Sequence, residues 1–248
     1  MNRSALVHAI HYIKMWLSER YEEADVPGFV AAVAYKGEVL MNEAYGYADL
    51  ERKIPMTPAH VFRIASHSKT FTATAIMLLA EQGHLRIDDP VADYIPWLKE
   101  NSDTRYTNVT LRQLLSHGAG VIRDGLDTDY WAIDRPFPDE ERFISEMKEL
   151  ALILENNTKM KYTNYGYTLL GMVIEAVSGQ PYNEFMLDKI IRPLGLEHTF
   201  PEYRPELNQP QLDDLVTGYT RPESKHRLPI AAISTEFMSP ATGFCSTT

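Results

Sequence analysis

The sequence has a single cysteine, Cys245, among its 248 residues. A lone cysteine excludes an internal disulfide and a zinc site built from cysteine pairs. Apolar runs are short, and none approaches the roughly 20 residues that a membrane-spanning helix needs. The first 24 residues also lack a signal-peptide core, because their apolar residues recur at helical spacing among charges. We therefore expect a soluble, cytoplasmic protein without a membrane partner.

Basic residues are also scarce relative to acidic ones. The 24 Lys and Arg residues stand against 34 Asp and Glu, which gives a formal net charge of −10. No run of basic residues occurs, and a nucleic-acid partner would require clustered Lys and Arg. The 44% hydrophobic and 23% charged fractions are those of an ordinary globular protein with ample length for a core. The composition thus argues against a nucleic-acid partner.

The order of secondary-structure signals predicts an α/β protein with two parts. Residues 4–23 have the spacing of an amphipathic helix, and residues 28–48 form two β-rich runs joined at Lys36-Gly37, a turn of hairpin length. Two strands alone are marginally stable, so the sheet that this hairpin begins is incomplete. We assign residues 1–62 to the sheet region and residues 63–248 to a mainly helical region.

Helix signals dominate the second part. Thr110 and Gln113 have the spacing of a capping box that opens a short helix. Residues 139–156 are periodic and heavily charged, and residues 166–177 form an apolar helix closed by Ser178-Gly179. Another helix is predicted from Pro181 to Pro193. Residues 199–248 are rich in Pro, Thr and Ser and are predicted to be mostly loop.

The stretch ASHSKTFTA places Ser66 and Lys69 at the head of an apolar, helix-like segment. Positions i and i+3 share a helix face, so the Lys69 amine can approach the Ser66 hydroxyl. Burial lowers the pKa of a lysine, and a helix N-terminus favours negative charge nearby. The alternative is a serine that only caps the helix. The pattern alone is weak evidence, because Ser145 and Lys148 match it within a charged helix.

A second candidate element is Tyr162-Thr163-Asn164. In an extended segment, residues i and i+2 point the same way, so the phenol and the carboxamide could face one site together. A phenol near an ammonium can act as a base, and a carboxamide can bond both a lysine and a substrate amide. The same Tyr-Thr-Asn sequence occurs at residues 106–108, where it precedes a short capped helix. The alternative for Tyr162 is a packing tyrosine in a loop.

These elements lie in three longer blocks: FRIASHSKTFTATAIMLLAEQGHLRIDDPV, VTLRQLLSHGAG and YTNYGYTLLGMVIEAVSG. In their order and spacing they resemble the serine β-lactamase-like family, which includes class C β-lactamases, D-alanyl-D-alanine carboxypeptidases, D-aminopeptidases and related esterases. The resemblance covers roughly residues 26–248. It implies a β-lactamase/transpeptidase-like fold, in which an antiparallel sheet flanked by helices adjoins a large helical region.

The resemblance also implies the roles of the site residues. Ser66 would be the acyl-accepting nucleophile, Lys69 its proton partner, Tyr162 the general base and Asn164 a substrate-binding amide. The acylation base of such sites is disputed, so we treat Lys69 and Tyr162 as a coupled pair. The implied activity is that of a serine hydrolase acting through an acyl-enzyme on a small ester, amide, β-lactam or D-amino-acid peptide. No cofactor or metal is expected.

The sequence departs from the family's pattern in its third motif, which is Lys or His, one residue, then Gly. No such triplet occurs; Val216-Thr217-Gly218 and Ala241-Thr242-Gly243 lack the cation. The family continues beyond this point with strands that complete the sheet and supply one oxyanion-hole amide. We expect those strands to come from downstream sequence or from a second polypeptide. The non-enzyme alternative is a catalytically inactive, ligand-binding or partner-binding relative.

Other candidates are weaker. His8 and His11 sit at i and i+3 on the first helix, but no carboxylate cluster joins them, so a solvated face is the better interpretation. His67 lies inside the serine motif, and we expect it to line the site. The sequence has no Gly-x-Ser-x-Gly elbow, which argues against an α/β-hydrolase.

Overall fold

The computed structural model describes residues 3–133, 135–203, 214–221 and 227–248. The chain divides into two compact units. The first contains the described parts of residues 1–62, 205–232 and 246–248, and the second contains those of residues 63–204 and 233–245. Residues 214–221, 227–232 and 246–248 belong to the first unit, whereas the sequence pattern assigns them to the helical region.

The first unit is built on a long helix and a hairpin. Helix α1 spans Arg3–Glu23, strand β1 spans Gly28–Tyr35 and strand β2 spans Glu38–Asp49. β1 and β2 pair antiparallel, with a register shift between Val33 and Ala34. Lys36 and Gly37 both have positive φ, 52° and 81°, as a two-residue type I′ turn requires. The predicted helix and hairpin are confirmed.

Short strands complete the first unit. Strand β3 (Ile54–Pro55) pairs antiparallel with β2, which gives the order β1-β2-β3 and leaves β1 at an edge among the described residues. Strands β5 (Gly218–Tyr219) and β6 (Pro229–Ile230) pair with each other. Strands β4 (Phe62–Arg63) and β7 (Cys245–Ser246) lie at the boundaries of the units. Residues 204–213 and 222–226 of the predicted loop lie outside the described residues.

The second unit is mainly helical. Its α-helices are α2 (Ser68–Glu81), α3 (Leu111–Leu115), α4 (Glu140–Glu149), α5 (Asn164–Ser178), α6 (Tyr182–Met186) and α7 (Ser239–Thr242). A π-helical turn at Leu187–Ile191 extends α6. Short 3₁₀ turns occupy Ala65–His67, Val91–Asp93, Pro96–Glu100, Thr104–Asn108, Asp129–Ala132 and Glu236–Met238. Within the described ranges, no helix combines the length and apolarity needed to cross a bilayer.

Local sequence signals set several of these helix ends. Thr110 and Gln113 form the predicted capping box, each side chain accepting a hydrogen bond from the other residue's backbone N–H. Gly179 ends α5 in the left-handed conformation with φ of 70°. Helix α4 is shorter than the predicted periodic segment, because it ends at Leu150, whose backbone is extended.

Helices α2, α5 and α7 pack together at the centre of the second unit. Ile76 and Leu79 of α2 are buried in the same core as Leu169, Leu170 and Val173 of α5. One stripe of α2 is exposed and consists of Thr70, Thr74, Met77 and Glu81. The Thr70 and Thr74 hydroxyls bond back to carbonyl oxygens of the preceding turn, so these polar residues need no cover.

Candidate active site

Ser66 lies on a tight turn where the chain leaves an extended segment and enters α2. Ala65 has a left-handed φ of 46°, a conformation that a non-glycine residue rarely adopts. Ser68 secures this turn: its Oγ donates to the Ala65 carbonyl at 2.5 Å and accepts from the Phe244 N–H at 3.0 Å. The Ser66 side chain is left exposed, whereas Ser68 is fully buried.

Lys69 lies one helical turn after Ser66 and is buried, with 6% of the residue exposed. Its Nζ donates to Asn164 Oδ1 at 2.6 Å, to the Ala241 carbonyl at 2.7 Å and to Ser66 Oγ at 3.4 Å. The three N–H groups of an ammonium therefore meet three acceptors. Burial lowers the pKa of Lys69 to about 8. At this value the amine can exchange a proton near neutral pH.

Tyr162 also contacts the Ser66 hydroxyl. Its hydroxyl donates to Ser66 Oγ at 2.6 Å. The ring lies 4.8 Å from Lys69 Nζ, and the Arg123 guanidinium lies 5.9 Å from its centroid. Such cation–π contacts stabilise charge beside an aromatic face. Tyr162 is thus positioned against both the hydroxyl and the amine.

Asn164 begins helix α5 and is buried, with 2% of the residue exposed. Thr163 is the N-cap: its Oγ1 accepts from the Gly166 N–H at 2.8 Å and donates to the Ile122 carbonyl at 2.7 Å. Its extended backbone, with φ of −140° and ψ of 127°, directs Tyr162 and Asn164 toward the same site. Asn164 Nδ2 donates to Asp124 Oδ1 at 2.5 Å.

The structure therefore brings together all four residues singled out from the sequence: Ser66, Lys69, Tyr162 and Asn164. The serine hydroxyl contacts the phenol and the amine, and the carboxamide accepts a hydrogen bond from the amine. This is the arrangement that activation of a serine hydroxyl requires.

Comparison with known proteins identifies the family. The family model described as Beta-lactamase matches residues 13–248. The chain belongs to the beta-lactamase family. This is a family of serine hydrolases, and the fold is β-lactamase/transpeptidase-like.

Individual members of the beta-lactamase family show the same likeness. Penicillin-binding protein 4* of Bacillus subtilis is 32% identical over 191 residues, covering 74% of this chain and 40% of the relative. Protein flp of Staphylococcus aureus is 29% identical over 182 residues, covering 72% of this chain and 35% of the relative. The chain thus spans well under half the length of these two relatives.

Solved beta-lactamase family structures superimpose over most of the chain. The octameric penicillin-binding protein homologue of Pyrococcus abyssi gives a TM-score of 0.80 at 27% identity, covering 96% of this chain and 53% of that one. The class C beta-lactamase of Rhodobacter sphaeroides gives a TM-score of 0.75 at 26% identity, covering 92% of this chain and 60% of that one.

The second matches to the two motifs, Ser145 with Lys148 and Tyr106 with Asn108, lie in different surroundings from the first. Lys148 pairs with Glu100 at 3.0 Å instead of contacting Ser145. Tyr106 is fully buried, and its hydroxyl has no hydrogen-bond partner within the described part of the chain. Neither repeat forms a nucleophile with a base.

Histidines occupy supporting positions. His117 packs against the rings of Tyr162 and Tyr167, with centroids 4.6 and 5.1 Å away, and its Nδ1 accepts from the Thr163 N–H at 3.2 Å. Burial and the nearby Lys69 charge lower the pKa of His117, which favours a neutral ring. His67 is exposed on the turn beside Ser66, and His8 and His11 are exposed on α1. No cluster suited to a metal ion occurs among the described residues.

Two contributors to the site were not predicted. The Ala241 carbonyl accepts from Lys69, and a backbone acceptor leaves no signal in the side-chain pattern. Asp124, with 5% of the residue exposed, binds Asn164 and pairs with Arg123 Nε at 2.8 Å. Its only sequence signal is its position just after the second block.

Proposed function

We propose that this chain carries the site of a serine hydrolase that works through an acyl-enzyme. The supporting observation is that Ser66 Oγ lies 2.6 Å from the Tyr162 hydroxyl and 3.4 Å from Lys69 Nζ. Ser66 Oγ bonds to a carbonyl carbon, and the Lys69–Tyr162 pair takes its proton. The same pair passes that proton to the departing group, and water then cleaves the acyl-enzyme.

The proposed substrate is a small ester, amide, β-lactam or D-amino-acid peptide, and the residues of the site provide the reaction without a cofactor. The names of the penicillin-binding relatives and of the class C beta-lactamase support a β-lactam.

One observation favours a second function, that of a catalytically inactive relative which binds a ligand or a partner. The sequence has no Lys-x-Gly or His-x-Gly triplet to serve as the third family motif. The residues around Ser66 support catalysis, whereas this departure supports binding without turnover. Covalent labelling separates the two functions.

We expect a fluorophosphonate or a fluorescent penicillin to label Ser66 in the full-length protein. Ser66 is exposed beside a phenol and an amine, whereas Ser68 is buried with its hydroxyl engaged in two hydrogen bonds. Peptide mapping by mass spectrometry identifies the labelled residue, with Ser145 as the internal control. Label on Ser145 would contradict the assignment, and a fully folded protein that takes no label would support the inactive relative.

We also propose that further strands cover the outer edge of β1, supplied by a longer form of this chain or by a second polypeptide. No residue of β1 is buried, and Val39 and Tyr47 of β2 are 64% and 41% exposed. An unpaired edge of this kind promotes strand addition or aggregation. Residues 1–248 expressed alone should therefore be poorly soluble or inactive, and co-expression with a downstream segment should restore both properties. A monodisperse, fully active monomer of residues 1–248 would refute this proposal.

A further inference from the structure

A buried carboxylate, that of Asp124, is linked to Ser66 through two intervening residues, Lys69 and Asn164. Asp124 does not bond Ser66, Lys69 or Tyr162 directly. Its Oδ1 accepts from Asn164 Nδ2, its Oδ2 pairs with Arg123 Nε, and its backbone carbonyl accepts from the Tyr130 hydroxyl at 2.7 Å. A buried carboxylate is costly unless hydrogen-bonded and paired. Asp124 has both kinds of partner.

The two partners of Asn164 fix the orientation of its carboxamide. Lys69 donates, so it must face the amide oxygen; the Asp124 carboxylate oxygen accepts, so it must face the amide nitrogen. The reversed amide would set N–H groups against an ammonium and an oxygen against a carboxylate. The backbone holds the residue as well, because the Asn164 N–H donates to the Arg123 carbonyl at 2.8 Å.

We propose that Asp124 is a positioning residue of the site: its buried carboxylate orients Asn164 toward Lys69 and supplies the negative charge that holds the Lys69 ammonium in place. The inference rests on the proposed hydrolase function for its kinetic consequence, but the coupling between Asp124 and Lys69 exists without turnover. Asp124 then acts on the reaction through Lys69, without touching substrate.

The charged and titratable groups that face Lys69 come from several segments. Burial has the largest effect on the pKa of Lys69 and lowers it; Asp124 raises this pKa, and Arg123 lowers it further. Tyr162 and Tyr167 present their rings to the amine at 4.8 and 5.6 Å, and the pKa of His117 responds to the Lys69 charge. Asp124 and Arg123 thus have opposite effects on the pKa of Lys69. Removing Asp124 should lower this pKa, and removing Arg123 should raise it.

The direct test is an NMR titration of the Lys69 side chain in protein labelled with ¹³C at lysine Cε, with Lys69→Met used to assign the signal. Asp124→Asn should lower the pKa of Lys69 by about one unit, since an opposite charge nearby has been removed. Arg123→Gln, at an exposed position, should raise it. Asp103→Asn is the matched control in the same unit and should leave it unchanged, because Asp103 pairs with Arg105.

A second measurement is the rate of Ser66 labelling as a function of pH. Asp124→Ala should slow labelling about tenfold, because Asn164 loses the hydrogen bond that orients it. Asp124→Asn should recover much of this rate, since its amide oxygen still accepts from Asn164. The pH dependence of labelling in this variant should shift to lower pH, because the pKa of Lys69 is lowered.

These outcomes distinguish the inference from the proposed function. A protein that takes no label refutes the hydrolase, yet the titration still tests the coupling. An unchanged Lys69 titration in Asp124→Asn overturns the inference. If that variant does not fold, Asp124→Ala decides by the same titration: a lowered Lys69 pKa supports the inference, and an unchanged or raised one overturns it.

Discussion

Replacing Ser66 with alanine should lower the rate of chromogenic-ester hydrolysis on the order of 10⁴-fold or more, the scale seen when a catalytic nucleophile is removed. The variant keeps Lys69 and Asn164 in place, because their other hydrogen bonds do not involve Ser66, and Tyr162 keeps its ring contacts with His117 and Lys69. It should therefore fold and melt as the parent does. The measurement is initial rate against ester concentration, on protein whose unfolding is checked by circular dichroism.

The matched control is Ser145→Ala. Ser145 is exposed on α4 and belongs to the second Ser-x-x-Lys pattern, so its removal should leave the rate unchanged. If Ser66→Ala retained most of the parent's ester turnover, while Ser145→Ala also stayed active, the nucleophile would have to be another group and the proposed reaction would be wrong.

The second large effect concerns the pair that flanks the serine hydroxyl. Lys69→Ala and Tyr162→Phe should each reduce turnover by about 10²-fold or more, the usual contribution of acid–base help. Because both groups contact the same oxygen, at 3.4 and 2.6 Å, the double variant should be faster than the product of the two single losses predicts. The measurement is a double-mutant cycle of ester turnover.

Tyr106→Phe is the control for loss of a tyrosine hydroxyl. Tyr106 is fully buried and its hydroxyl bonds no other group in the described part of the chain, so its removal should scarcely change turnover. A double variant as slow as the product of the single effects would mean that Lys69 and Tyr162 act independently, and the coupled proton transfer would have to be abandoned.

Short-range geometry made most of the site predictable from sequence. Ser66 and Lys69 are one helical turn apart, and Tyr162 and Asn164 are two residues apart in an extended segment. Local spacing could not predict that these two pairs lie next to each other in the fold. That came from the resemblance of three long blocks to a known family.

The unpredicted features depend on contacts between distant residues. Helix α4 ends early because Asn101 Nδ2 donates to the carbonyls of Met147 and Leu150 at 2.6 and 3.0 Å, satisfying the helix end from another part of the chain. Asp124 is similar: its role arises from the fold that buries it against Asn164. Neither contact has a counterpart in local periodicity.

The set of three acceptors around Lys69 has a consequence for the direction of one hydrogen bond. An ammonium donates to all three, but a neutral amine has two N–H groups and one lone pair. The two short contacts, to Asn164 and Ala241, retain the N–H groups, so the lone pair is left for the longest contact, to Ser66. Loss of one proton therefore converts Lys69 from a donor to an acceptor toward the serine hydroxyl, without displacement of any heavy atom.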